Sequence, residues 1–157
     1  MNKMKEKKFF NMAKPVWARG LAEQINCCID LECKLKYMPD TELYITGATF
    51  FQIFINENLI HYGPARVADG YAAVDKINLS ERMSNKDGDN LLLIRILGYN
   101  CPSFACVSQS SFVCAEVRRG DMIVAATGNS GFIGYVNNQH LRFVERYSFQ
   151  RHFCESW

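Results

Sequence analysis

Thr41–Tyr71, TELYITGATFFQIFINENLIHYGPARVADGY, is the stretch from which the fold can be read. Leu43 and Ile45 alternate with Tyr44 and Thr46, and Phe51, Ile53 and Ile55 alternate with Gln52, Phe54 and Asn56. A period of two in β-branched and aromatic residues marks a half-buried strand. Asn56-Glu57-Asn58 supplies residues that tolerate a left-handed backbone, so the chain reverses there before Leu59 and Ile60. His61 to Tyr71 has no periodicity and is rich in Gly, Pro, Arg and aromatics, the composition of a loop projecting from a rigid sheet. Such loops commonly carry recognition.

The same signals recur outward from this hairpin. Upstream, Cys28 to Lys36 places Ile29, Leu31, Cys33 and Leu35 on one side and Asp30, Glu32, Lys34 and Lys36 on the other, a strand with one solvated face. Leu21 to Asn26 reads as a helical turn, and Pro15 to Gly20 as irregular chain. Downstream, Ala72 to Leu79 is a strand anchored by Val74 and Ile77, and Ser80 to Met83 a single helical turn. Leu91 to Leu97 is apolar except for Arg95, which predicts a central strand buried on both faces. Phe112 to Arg118 and Met122 to Thr127 form a hairpin around Gly120-Asp121, with glycine where a type II′ turn needs it. Phe132 to Val136 and Leu141 to Phe149 are the last strands. About eight short strands, polar turns and almost no helix predict an all-β protein, an antiparallel β-sandwich or jelly roll.

Bulk properties narrow the function. The chain has 157 residues, enough for one domain with a proper core. We divide it into a flexible Lys-rich lead, residues 1–14, and one β-sandwich domain, residues 15–157. The net charge is +2, but residues 1 to 8 hold four Lys and one Glu, so the remainder is close to −1. No basic face is left to track a phosphate backbone, and no nucleic-acid motif is present. No run of about 18 apolar residues suggests a membrane span. Seven cysteines without a Cys-x-x-Cys pair argue against a structural zinc site and for buried thiols in a reducing cytoplasm. The acids of Asn85 to Asn90 invite a calcium reading, but the spacing lacks the rest of a calcium loop, and Asp-Gly is a common turn. Gly128, Gly131 and Gly134 precede a strand and not a helix, so turn glycines are the better reading than a phosphate cradle. We expect no cofactor and no metal.

The order Trp17, ELYITGATFFQIFINENLI, GPARVADGY, VDKINL and DNLLLIRILGY resembles the N-terminal accessory domain of bacterial α-L-rhamnosidases, glycoside hydrolase family 78. In that family a strand with a V-N-G hairpin precedes a Gly-Pro-Arg loop and further strands. Here the hairpin reads Ile55-Asn56-Glu57-Asn58, without the glycine. The tail, from Val117-Arg118 through Ala126-Thr127-Gly128 to Arg146–Gln150, is similar to the second half of that domain, so the resemblance spans roughly residues 15 to 155. It implies a galactose-binding-type jelly roll that precedes a much larger catalytic (α/α)6 barrel. The family's catalytic carboxylates lie in that barrel, so the resemblance assigns no catalytic residue to this chain.

Three functions follow as expectations. The first is a non-catalytic accessory domain that packs on neighbouring domains and binds carbohydrate, with a rhamnose-containing glycan as the candidate ligand. Sugar sites stack pyranose faces on aromatics and bond hydroxyls to Arg, Asp or Asn. The candidates are Tyr62, Arg66, Asp69 and Tyr71 on one loop and Tyr99 and Phe104 on another, with Trp17 and Arg19 joining them. The same residues would serve equally for docking on the next domain. The second is a free-standing lectin-like or protein-binding module. The third, a hydrolase in itself, needs two carboxylates about 5 to 9 Å apart across a cleft, and no such arrangement is recognisable.

Overall fold

The computed structural model describes residues 9–68, 71–102 and 108–138. Nine strands form two antiparallel sheets: β1 (Cys27–Lys36), β2 (Thr41–Ala48), β3 (Phe50–Ile55), β4 (Asn58–Gly63), β5 (Asp75–Asn78), β6 (Asp89–Gly98), β7 (Phe112–Arg119), β8 (Met122–Ala126) and β9 (Ile133–Val136). One sheet runs β4-β3-β6-β1-β9 and the other β5-β2-β7-β8. This is the antiparallel β-sandwich that the alternation predicts, and its layout is consistent with a jelly roll. Among the described residues there is no helix, and so none long and apolar enough to cross a membrane.

The core follows from register. Directly opposed residues of an antiparallel pair share a face. Ile53, Ile94 and Leu31 lie in one row of the larger sheet, and Phe51, Ile96 and Ile29 in the next. Ile77, Leu43, Val117 and Ala125 make the facing row of the smaller sheet. The three rows pack as one apolar cluster, with Phe51, Ile53, Ile94, Leu43 and Val117 wholly buried. Burying each such side chain contributes about 1.5–3 kcal/mol.

The hairpin between β3 and β4 turns on Asn56 (φ 48°) and Glu57 (φ 68°), both left-handed. That pair of signs is the type I′ requirement. Asn56 also ties the turn to its neighbour. Its Oδ1 accepts from the Leu91 N–H at 2.8 Å, and its Nδ2 donates to Asn90 Oδ1 at 2.8 Å. Asn90 is completely buried and donates to the Asn85 carbonyl at 2.7 Å. The polar turn weighed as a calcium loop is thus knit by amide–backbone bonds. The other hairpin turns at Gly120 (φ 54°), as predicted.

Several expectations need correction. His61–Gly63 belongs to β4, because its backbone pairs with Phe51–Ile53 in spite of a loop-like composition. The strand expected over Ala72–Leu79 is ordered as a ladder only over Asp75–Asn78. Its buried anchor is Leu79, while Val74 and Ile77 are half-buried at an edge. β6 is central but not buried on both faces: Leu91, Leu93, Arg95 and Leu97 are half-covered on the outer side. Leu21–Asn26 makes separate turns, not a helix. The strand expected over Leu141–Phe149 lies outside the described residues.

Part of the expected lead is tied to the sandwich. The N–H groups of Asn11, Met12 and Ala13 all donate to the Glu116 carboxylate, the closest at 2.7 Å. Lys14 N–H bonds to the Thr127 carbonyl, and Val16 forms a two-bond bridge with Val113. Residues 9–16 therefore run along β7 and cover the outer face of the smaller sheet.

Candidate functional site

The sequence-predicted residues fall at two opposite edges of the sandwich. Four inter-strand spacings separate β4 from β9, about 19 Å. Tyr62 and the loop after β4 lie at one edge, and Trp17 and Arg19 at the other. One ligand site containing all of them is therefore excluded.

At the first edge, β4 hands the chain from the larger sheet to β5 of the smaller one. Tyr62 is opposite Gln52, so it stands on the outer face of the larger sheet, and it is 67% exposed. Tyr71, 78% exposed, lies on the connecting loop with the exposed Arg66 and Val67. Asp69 and Phe104 lie outside the described residues. Beneath the loop, His61 Nε2 meets Asp75 Oδ2 at 3.0 Å, a bond from one sheet to the other. The His61 ring lies 6.3 Å from that of Phe51. Gly63 sits over Phe51 and Asp75 so closely that a Cβ there would strike both. The edge is a rigid platform carrying exposed aromatics.

Tyr99 is placed differently. It is only 8% exposed and meets Phe50 edge-on with centroids 5.5 Å apart. It packs the end of β6 and offers no open ring face to a ligand.

At the second edge, the rims of β8 and β9 enclose a groove of about 430 Å3. Its floor is Ile29 and Leu31; its walls include Trp17, Arg19, Thr127, Asn129, Phe132 and Tyr135. The Val16–Val113 bridge fixes the backbone next to Trp17. The Trp17 ring packs against Gly98, where a Cβ would strike it and Ser111. Its indole N–H is buried and reaches no oxygen or nitrogen. Burial raises the pKa of the neighbouring Cys27 thiol, and Trp17 beside it partly offsets the rise. Thr127 is committed, donating to the Lys14 carbonyl at 2.8 Å and accepting from Ala115 N–H at 3.1 Å. Arg19 is exposed, and among the described residues no carboxylate pairs with it.

Phe132, Tyr135 and Asn129 complete this groove and were not among the sequence candidates. Their signal was the alternation of Ile133 and Tyr135 after a glycine-rich turn, where Gly128 (φ 72°) and Gly131 (φ 93°) bend the chain back toward Trp17. Pairing of β9 with Ile29–Glu32 of β1 brings that turn to Trp17, and this long-range pairing is invisible to local patterns.

Burial governs the thiols. Cys27, Cys28, Cys33, Cys101 and Cys114 are free and buried. Desolvation pushes Cys28 up to about 12, with the Asp30 charge adding to the rise, and Cys33 to about 11. Such thiols are poor nucleophiles. Among the described residues no cluster of His, Cys, Asp and Glu could hold a metal ion.

No protein-family model matches the sequence, and no curated protein does. A solved structure does share its fold. A GH78 family rhamnosidase of Bacillus sp. GL1 superposes with a TM-score of 0.69 at 16% identity over 80% of this chain. An α-L-rhamnosidase from Dictyoglumus thermophilum gives 0.47 at 13% identity over 70%. This chain covers 13% of the length of each. At these identities the likeness is one of fold.

Proposed function

We propose that this chain is an accessory β-sandwich domain of an α-L-rhamnosidase-like glycoside hydrolase, packing on a helical catalytic (α/α)6-barrel domain. One observation carries the proposal: the fold matches a small part of a much larger rhamnosidase over most of this chain's own length. The N-terminal position and the non-catalytic role come from the sequence resemblance. A reducing, cytoplasmic setting accords with five free buried thiols.

The docking face we assign is the β4–β5 edge. Tyr62, Val67 and Tyr71 are among its most exposed large side chains, and exposed aromatics on a rigid frame suit a domain interface. A photo-crosslinking residue at position 71, introduced into the protein in its native source, tests this. The expected product joins residue 71 to a helix-rich catalytic domain, whereas the same label at Met122, on the opposite edge, gives none. Crosslinking at 122 but not at 71 overturns the assignment.

A second reading, a free-standing carbohydrate-binding module, is favoured by one observation, the aromatic groove between β8 and β9.

A further inference from the structure

We infer that the β8–β9 groove takes a carboxylate-bearing pyranose, a uronic-acid-type sugar, an assignment that rests on the carbohydrate reading of the groove. Its size falls within the range of small-ligand sites, about 300–1,000 Å3. Trp17 and Phe132 supply flat apolar surface beside exposed polar groups. A pyranose ring needs that combination, since one face of C–H bonds stacks on aromatics while its hydroxyls stay wet.

The charge pattern selects among sugars. The formal charge on the lining is the Arg19 guanidinium, with no acid among the described residues to oppose it. Asp30 and, opposite it in register, Tyr135 stand on the outer face, where Arg95 grips the Asp30 carboxylate with two bonds of 2.8 Å and Asn137 adds a third, so that acid does not oppose Arg19 in the groove. The Thr127 hydroxyl is already engaged within the protein, and the Trp17 N–H is buried. What remains for a ligand is Arg19 and the exposed Asn129 amide, and a planar guanidinium matches a carboxylate with two parallel bonds.

The test is a titration of the isotope-labelled 157-residue chain, followed by NMR at the amides of Gly128, Asn129 and Gly134. D-glucuronate and D-glucose are compared at equal ionic strength. Glucuronate should give saturable shifts there, with glucose at least about tenfold weaker, the usual worth of a charge-assisted bond. Arg19→Gln, at an exposed position, should cost glucuronate about tenfold and leave glucose unchanged. Phe132→Ala, on a half-buried ring of the groove wall, should weaken both. Equal binding of the two sugars, or indifference to Arg19→Gln, overturns the acidic class and leaves the carbohydrate reading standing. No saturable shift with either sugar overturns both, and leaves docking at the opposite edge untouched.

Discussion

Glu116 is a carboxylate with no solvent exposure in the middle of a sheet. Burial alone would push its pKa up; the N–H groups of Met12, Ala13 and Asn11 and the Arg118 guanidinium outweigh that, and the pKa ends below the usual value. Arg118 also bonds to the Phe9 carbonyl and lies 4.2 Å over the Tyr44 ring, so one charge pair organises the N-terminal segment. A depressed carboxylate pKa contributes stability above the unfolded value, about 4.3, and loses it as pH falls through the folded one. We therefore expect residues 9–14 to become protease-sensitive below pH 4 before the sheets melt. Glu116→Gln should bring the same sensitivity at neutral pH and cost about 2–4 kcal/mol in denaturant unfolding. Glu57 is the opposite case. A glutamate at φ 68° occupies a position suited to glycine. Glu57→Gly should stabilise the domain by about 0.5–1 kcal/mol, the left-handed cost less the chain entropy glycine adds. The turn at 56–58 was legible because its chemistry is local. The role of Glu116 was not, because its partners lie more than 100 residues away.

At the scale of elements, alternation located β1, β2, β3, β6 and β7 because each has a face in the core. It missed the bounds of β4 and β5, which are edge strands: half of their residues meet water, so composition there reports surface chemistry more than pairing. It also overstated β6, where a nearly continuous apolar run meets the core with only every second residue. The candidate site was half legible. Aromatics and Arg could be named, but Tyr99 proved to be packing and Trp17 belonged to a different edge from Tyr62. Two outcomes test the elements. Asn90→Ala should cost about 2–4 kcal/mol, since it leaves Asn56 and Asn85 groups without partners in a buried corner joining β6 to the β3–β4 turn. Thiol alkylation at pH 8, mapped by peptide, should leave Cys28, Cys33 and Cys114 unmodified until the domain unfolds. Labelling of those three at the unfolded rate would show that the strands open far more readily than their packing implies.

For the whole molecule, the two sheets form a frame with different edges. The β4–β5 edge is closed by the His61–Asp75 bond and carries exposed aromatics; the β8–β9 edge is open as a groove. Joined to a helical catalytic domain, the first edge would anchor the module and the second would stay free for sugar. The most direct measurement is the mass and activity of the protein isolated from its native source. The account predicts a polypeptide or tight complex well above 18.0 kDa that releases aryl-rhamnoside product, with the activity retained by the part outside these 157 residues. A native species of 18.0 kDa without such a partner would contradict it.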